Sequence, residues 1–133
     1  MIWLLDTNTI IYAQYVGGRV RERLDEASNR GRVVTSVLVI AELFYGAAKS
    51  SRPEANRRKV EEISGAIEIM PVSIDSAARF GVLKQQLVSR GRVKADIDLH
   101  IAAAAIEAGA TLVTNDSALL AGDIEGLVAE NWI

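Results

Sequence analysis

The stretch Met1-Ile2-Trp3-Leu4-Leu5-Asp6-Thr7-Asn8 decides the fold of this chain. Its continuous apolar run, Ile2–Leu5, is typical of a strand buried on both faces of a parallel sheet. The run ends in three polar residues, which can both end a strand and cap a following helix. Because open α/β sheets bind ligands at the carboxyl ends of their strands, we expect Asp6 to point into such a crevice. At this point two roles stay open for Asp6, a helix cap or a functional carboxylate.

Length and composition limit the class of protein. The 133 residues suffice for one compact domain, so we expect a single domain over residues 1–133, and 50% hydrophobic with 24% charged residues is typical of a soluble globular protein. No apolar run is long enough to span a membrane; we expect no signal peptide, and the cytoplasm is the expected compartment. With no cysteine and one histidine, thiolate and histidine-rich metal sites are excluded. A metal would have to be held by carboxylates, which favours Mg²⁺ or Mn²⁺.

Charge is distributed unevenly along the chain. All 15 lysines and arginines lie between Arg19 and Lys94, whereas seven acids and no base follow from Ala95 onward. Setting aside five acids that could cluster changes the net charge from −2 to +3. These five are Asp6, Glu42, Asp96, Asp98 and Asp116. A mildly basic body around an acidic pocket suits a polyanion that approaches bound cations.

Apolar periodicity and turn residues predict the order β-α-α-β-α-α-β-α-α-β-β. The predicted strands are Ile2–Leu5, Arg32–Thr35, Ile67–Val72, Thr111–Val113 and Leu127–Ala129. The predicted helices are Thr9–Val16, Arg19–Asn29, a helix capped by Ser36, Pro53–Ser64, one from Ser73 to Arg90, and Leu99–Ala108. A basic loop, Gly91–Ala95, is expected before the last of these helices. Alternation of strands and helices indicates an α/β fold, a three-layer α/β/α sandwich with a mainly parallel central sheet.

Glu42 lies within an apolar helix. It is surrounded by Val37–Ala41 and Leu43–Phe44, and a helix that is apolar nearly all round is expected to be buried. A buried glutamate without a partner is costly, so Glu42 needs a basic side chain or a metal ion beside it.

Four carboxylates are therefore predicted to meet at one edge of the sheet. Asp6 and Asp116 each follow a buried strand, and Asp98 begins a helix that starts at the same edge. With Glu42 they would repel one another strongly in a low dielectric. Such a cluster stays ionised with cations bound, and one or two divalent ions could orient a water for in-line attack on a phosphodiester.

At these residues the chain resembles the PIN domain family, and its end resembles the VapC toxins. The motifs are Leu4–Asn8, Ala41–Leu43, Asp98–Ala103 and Thr114–Asp116, followed by Gly126-Leu127 and Glu130-Asn131-Trp132. The resemblance implies a metal-dependent endoribonuclease toxin, leaving a 3′-hydroxyl and a 5′-phosphate. It implies a VapB-like antitoxin partner and a homodimer, or a hetero-oligomer with the antitoxin. It also implies that Asp6, Glu42, Asp98 and Asp116 are the catalytic, metal-site residues.

Further expectations concern residues near these four carboxylates, the acidic quartet of Asp6, Glu42, Asp98 and Asp116. Asp96 is interpreted as a helix cap, with an outer metal ligand as the alternative. His100 lies about 200° round the helix from Asp98, which places it away from the site. Four polar residues are expected to orient the carboxylates or the water by hydrogen bonding: Thr7, Asn8, Thr114 and Asn115. Three aromatic residues have base stacking, antitoxin contact and core packing as open roles: Tyr12, Tyr15 and Phe44.

Other protein classes fit less well. A haloacid-dehalogenase-like enzyme needs a second Asp where Asn8 stands, and a receiver domain needs a late Lys, but none follows Lys94. A dinucleotide-binding fold needs a glycine-rich turn, which Asp6–Asn8 lacks. The main alternative is a catalytically silent PIN-like module that binds RNA or an antitoxin.

Overall fold

The computed structural model describes all residues 1–133 and has one five-stranded sheet of order β3-β2-β1-β4-β5. The strands are β1 Ile2–Leu5, β2 Arg32–Ser36, β3 Glu68–Met70, β4 Thr111–Val113 and β5 Ala129–Glu130. The helices are α1 Thr7–Tyr15, α2 Gly18–Arg30, α3 Val37–Ala48, α4 Pro53–Ala66, α5 Ile74–Ser89, α6 Asp96–Glu107 and α7 Ser117–Leu120. Every strand pair is parallel, which confirms the predicted α/β/α class.

The central strand is β1, which pairs with β2 on one side and with β4 on the other. Leu5 aligns with Thr35 and with Val113, so the three strands end at nearly the same level. Trp3, Leu4 and Leu5 are all buried, as the continuous apolar run predicted. The residues that follow β1 and β4 consequently emerge side by side at one edge of the sheet.

Several helix starts follow from their caps. Ser36 accepts a hydrogen bond from the amide of Leu38, and Ser73 forms a reciprocal capping box with Ser76, as the polar residues before these apolar segments predicted. At the end of α1, Gly17 and Gly18 adopt φ angles of 78° and 55°, which a side chain rarely tolerates. The two glycines therefore let the chain turn directly into α2.

Helix α6 and the segment after β4 differ from the sequence prediction. Helix α6 begins at Asp96 rather than Leu99, which places Asp98 in its first turn. The early start fits two aspartates, because negative charge near a helix N-terminus is favourable. The four-residue α7 was not predicted, since it is too short to show a helical period.

The prediction that α3 is buried nearly all round is wrong. Val39, Ile40 and Leu43 are buried, but Val37 and Tyr45 are exposed on another side of the helix. The helix packs on α4 and touches α1 and α6, which leaves part of its apolar surface open. No helix in the structure has the length and apolar character needed to cross a membrane.

Candidate active site

The structure shows one of the two roles that the sequence left open for Asp6, that of a helix cap. Its Oδ1 accepts a hydrogen bond of 2.8 Å from the amide of Thr7 at the start of α1, so it is the N-cap of that helix. Its Oδ2 accepts a hydrogen bond of 2.7 Å from the hydroxyl of Thr114, across the β1–β4 edge. The side chain is 7% exposed, and burial, with the nearby charge of Asp116, raises the pKa of Asp6 against these hydrogen bonds.

Asp116 repeats this arrangement one strand away. It follows β4 and caps α7 through a hydrogen bond of 2.9 Å from the amide of Ala118 to its Oδ1. Its own amide donates to the hydroxyl oxygen of Thr114 at 3.0 Å. Thr114 therefore donates to one aspartate and accepts from the other, which fixes the two strand ends relative to each other.

Glu42 reaches the same edge from α3. Its Oε1 accepts a hydrogen bond of 2.8 Å from the hydroxyl of Thr7. Thr7 thus holds Asp6 through its backbone and Glu42 through its side chain. Two of the four predicted orienting residues, Thr7 and Thr114, contact the carboxylates as expected, whereas Asn8 and Asn115 hydrogen-bond to each other at 3.1 Å.

Asp98 shows most directly that the four acids lie together. The pKa of Asp98 is raised to about 6, first by burial, then by the charges of Asp116, Asp6 and Glu42 in that order, and also by a hydrogen bond with Asp116. A basic side chain nearby would offset this repulsion. None of the four forms a salt bridge with a lysine or an arginine; the seven ion pairs of the structure all lie elsewhere.

The donor set suits a hard divalent cation. Glu42 Oε2, Asp116 Oδ2 and both oxygens of Asp98 accept no hydrogen bond from an amide or a hydroxyl, so lone pairs are available at the sheet edge. Carboxylate oxygens are the ligands that Mg²⁺ and Mn²⁺ prefer. No three acidic or histidine side chains are arranged closely enough here to form a complete metal site. Side-chain adjustment would therefore accompany ion binding.

Two neighbouring residues that were weighed as participants are engaged elsewhere. The interpretation of Asp96 as a helix cap is wrong, because Ala95 occupies the cap position and Asp96 pairs with Lys84 at 2.9 Å on the exposed side. His100 stacks on Phe80 of α5, with ring centroids 3.7 Å apart and planes 4° from parallel. This contact agrees with the prediction that His100 faces away from the carboxylates.

The three aromatic residues whose roles the sequence left open differ in their exposure to solvent. Tyr12 and Phe44 pack against the core, whereas Tyr15 is 61% exposed. Tyr15 lines an apolar groove of about 220 Å³ between α1, α3 and α4, and Thr7 and Glu42 line the same groove. The groove therefore runs up to the acidic cluster.

A cluster that the sequence analysis missed lies on the other side of α7. Lys94 Nζ is 3.0 Å from Asp123 Oδ1, and Arg92 Nη1 donates to Asp123 Oδ2 at 3.0 Å. These two bases lower the pKa of Asp123, Lys94 having the larger effect. Asp123 stands in a segment without periodicity, and no signal in the sequence pairs it with the predicted basic loop.

A carboxylate cluster at the carboxyl edge of a parallel sheet defines a class of candidate nucleases. The chain matches the family model described as "PIN domain" over residues 3–123, and it belongs to that family. It is 35% identical over 135 residues to "Ribonuclease VapC2" of Haemophilus influenzae, with 98% of each chain covered. It is 31% identical to "tRNA(fMet)-specific endonuclease VapC" of Shigella flexneri, over 98% of this chain and 97% of the relative.

Solved structures agree with these sequence relatives. The chain superimposes on VapBC2 from Rickettsia felis, bound to a DNA fragment from their promoter, with a TM-score of 0.91, 33% identity and 100% coverage of both chains. VapBC-1 from nontypeable Haemophilus influenzae gives a TM-score of 0.88 at 28% identity, over 99% of this chain and 98% of that chain. The resemblance to VapC ribonucleases is thereby confirmed.

Proposed function

We propose that this chain is a Mg²⁺- or Mn²⁺-dependent endoribonuclease, a single PIN domain over residues 1–133 that acts in the cytoplasm as the toxin of a toxin–antitoxin pair. Asp6, Glu42, Asp98 and Asp116 are its catalytic, metal-binding residues. Ribonuclease relatives of nearly equal length support the activity, and solved VapBC complexes support a VapB-like partner. A homodimer, or a hetero-oligomer with the antitoxin, is the proposed assembly.

The observation that carries the metal dependence is the uncompensated repulsion within the quartet. Three neighbouring charges raise the pKa of Asp98, and no basic side chain pairs with any of the four acids. When bound there, a divalent ion would offset this repulsion, polarise a water and stabilise negative charge on a phosphodiester.

The chain's own groups hold the carboxylates ready for this role. Thr7 fixes Asp6 and Glu42, and Thr114 fixes Asp6 and Asp116, all within hydrogen bonds of 2.7–3.0 Å. These bonds leave the oxygens of Asp98 as the most adjustable donors in the cluster. We infer that Asp6 and Asp116 form the rigid part of the site and that Asp98 completes it from the first turn of α6.

The substrate and the partner have separate approaches to the site. All basic residues precede Ala95, so an RNA backbone is attracted to the body of the protein while the sheet edge itself is acidic. The apolar groove beside Glu42, lined by Ile11, Tyr15, Leu43 and Ile63, suits an apolar segment of the antitoxin. A segment bound there would lie close to the carboxylates and obstruct RNA.

The test is cleavage of a pool of cellular RNAs by the antitoxin-free protein in Mg²⁺, in Mn²⁺ and in EDTA. Asp6→Asn and Asp98→Asn are compared with the wild type. The matched control is Asp75→Asn, because Asp75 also lies in the first turn of a helix, α5, but near Glu107, the last residue of α6, whereas Asp98 lies in the first turn of α6. We expect metal-dependent cutting by the wild type and the control, and none by the two site variants when circular dichroism shows them folded.

Each other outcome has a definite meaning. Cutting in EDTA, or by folded Asp98→Asn, would contradict the metal mechanism. A wild-type protein that neither cuts RNA nor binds Mn²⁺ would favour the alternative of a silent module that binds RNA or an antitoxin.

A further inference from the structure

Lys94 is a buried lysine in the segment that joins α5 to α6. Its side chain is 7% exposed, and the Asp123 side chain that it pairs with is 10% exposed. Its Nζ also donates a hydrogen bond of 2.7 Å to the carbonyl oxygen of Ala118 in α7. Burying an ion pair costs desolvation free energy that the attraction only partly returns, so such a pair is often explained better by the geometry that it fixes.

The geometry fixed by Lys94 includes a residue of the acidic cluster. The carbonyl of Ala118 accepts from Lys94, while the amide of the same residue donates to Asp116 Oδ1 at 2.9 Å. Lys94 is therefore connected to the Asp116 carboxylate through the backbone of one residue. Along the chain, Lys94 precedes Asp98 by four residues, at the entrance to α6. It thus joins the two segments that present Asp98 and Asp116.

Arg92 strengthens this connection from the same loop. It donates to the second oxygen of Asp123, so Asp123 is held by two bases from the segment before α6. Neither base forms a salt bridge with an acid of the active-site quartet. The contacts of these two bases can therefore affect that site only through the position of α7, whereas their charges act on it through space.

On the basis of the metal-dependent activity proposed above, we propose that Lys94 is a positioning residue that holds Asp116 opposite Asp98 and thereby strengthens divalent-cation binding by the acidic cluster. It touches neither substrate nor ion. It acts by anchoring Ala118, whose amide orients the Asp116 carboxylate.

Removal of the Lys94 charge gives opposite results under positioning and under simple electrostatics. Without that positive charge near the acidic cluster, Coulomb attraction alone predicts equal or tighter binding of a divalent cation. Loss of positioning predicts weaker binding, because Asp116 is then free to move away from Asp98. The sign of the change in Mn²⁺ affinity therefore separates the two effects.

The experiment measures Mn²⁺ binding by isothermal titration calorimetry for the wild type, Lys94→Met, Lys94→Arg and Lys84→Met. Lys84 is the matched control, because it also pairs with an aspartate. Its partner is Asp96, the first residue of α6, and both side chains are exposed. We expect Lys94→Met to bind Mn²⁺ about tenfold more weakly, the size typical of losing a group that orients a metal ligand. Lys94→Arg keeps the charge and the donors, and together with Lys84→Met it should bind like the wild type.

A kinetic measurement and a second variant complete the design. Excess Mn²⁺ should return the RNA cleavage rate of Lys94→Met to that of the wild type, since Lys94 itself takes no part in the chemistry. Thermal unfolding in EDTA shows whether each variant is folded. If Lys94→Met does not fold, Asp123→Asn replaces it; this variant removes the counter-ion that holds the Lys94 ammonium beside the Ala118 carbonyl, and we expect a weakening smaller than that of Lys94→Met.

The outcomes distinguish this inference from the proposed function. Wild-type affinity in folded Lys94→Met, or in Asp123→Asn where that variant replaces it, overturns the positioning role while Asp98→Asn still tests the metal site. A wild type that binds no Mn²⁺ overturns both. Equal weakening in Lys84→Met would show that the loss of any lysine paired near α6 weakens binding, whether or not it contacts Ala118, and would also overturn the positioning role.

Discussion

Two groups of acidic residues flank α7 and have opposite electrostatics. Before the helix, Asp116 faces Asp98, and the pKa of Asp98 rises to about 6 because this side chain is partly buried and negative charges surround it. After the helix, Asp123 faces Lys94 and Arg92, and its pKa falls. An aspartate thus destabilises the metal-free fold before this four-residue helix, at Asp98, and stabilises the fold after it, at Asp123.

Under the proposed function, this difference separates the residues that serve activity from those that serve stability. The basic residues of the Gly91–Ala95 segment compensate Asp123 rather than the quartet, although the segment leads directly to Asp98. A lysine beside Asp98 would relieve the repulsion but would also occupy the oxygens that a metal ion needs. The uncompensated charge is a stability cost that binding of the proposed ion would remove.

The largest expected effect tests the functional side of the comparison. Asp98→Asn should lower the rate of Mn²⁺-dependent RNA cleavage by at least about 100-fold, because it removes a predicted metal ligand. The same variant should raise the free energy of unfolding of the metal-free protein by about 1 kcal/mol, after allowance for solvent screening. Single-turnover cleavage and urea unfolding in EDTA measure the two effects. A variant that loses both activity and stability would contradict the comparison.

The second-largest expected effect tests the ion pair between Asp123 and Lys94. Asp123→Asn should lower the free energy of unfolding by about 2 kcal/mol, because it leaves a buried lysine without its counter-ion. The change is opposite in sign to that of Asp98→Asn, and urea unfolding in EDTA on both variants measures it directly. Stabilisation by Asp123→Asn would mean that desolvation outweighs attraction at this pair.

The third effect is the pH dependence of the metal-free protein. At pH values between the ordinary pKa of an aspartate and about 6, Asp98 is protonated to a greater extent in the folded chain than in the unfolded chain. The free energy of unfolding should therefore fall by about 1 kcal/mol as the pH rises through this window. The contribution of Asp123 has the opposite sign: it is complete above the ordinary pKa and is lost as the pH falls through the lowered one. Thermal melts from pH 4 to 8 should show a flatter profile for Asp98→Asn.

The smallest effect comes from an exposed ion pair. Lys84→Met removes the partner of Asp96, and both side chains are largely exposed, at 46% and 61%. The free energy of unfolding should change by less than about 0.5 kcal/mol. Urea unfolding beside Asp123→Asn shows whether burial, rather than the mere presence of a pair, accounts for the larger effect. Equal losses in the two variants would remove that distinction.

The sequence predicted the positions of those site residues that lie next to apolar runs or within them. Asp6, Asp116 and Glu42 each adjoin or interrupt such a run, so the parallel-sheet rules bring them to one edge before any coordinates are known. Thr7 and Thr114 could be assigned as orienting residues because they are direct neighbours of these acids.

Contacts between segments without periodicity were not predictable. Asp123 and Lys94 are 29 positions apart, and neither adjoins a strand or interrupts an apolar helix. Helix α7 has only one turn, and for Asp96 the sequence offered a helix cap or an outer metal ligand, whereas the side chain pairs with Lys84. In each case tertiary packing, rather than local preference, determines the outcome.

The dual role of Asp6 has a consequence for how such a protein can lose its activity. Asp6 caps α1 and receives the Thr114 hydroxyl, so its replacement by a residue without an acceptor removes both a helix cap and an interstrand bond. Asp98 caps no helix, and its neutralisation is expected to stabilise the metal-free fold. Under selection against toxicity, inactivating substitutions at Asp98 would thus leave a folded chain that can still occupy its antitoxin, whereas those at Asp6 would tend to yield degraded protein.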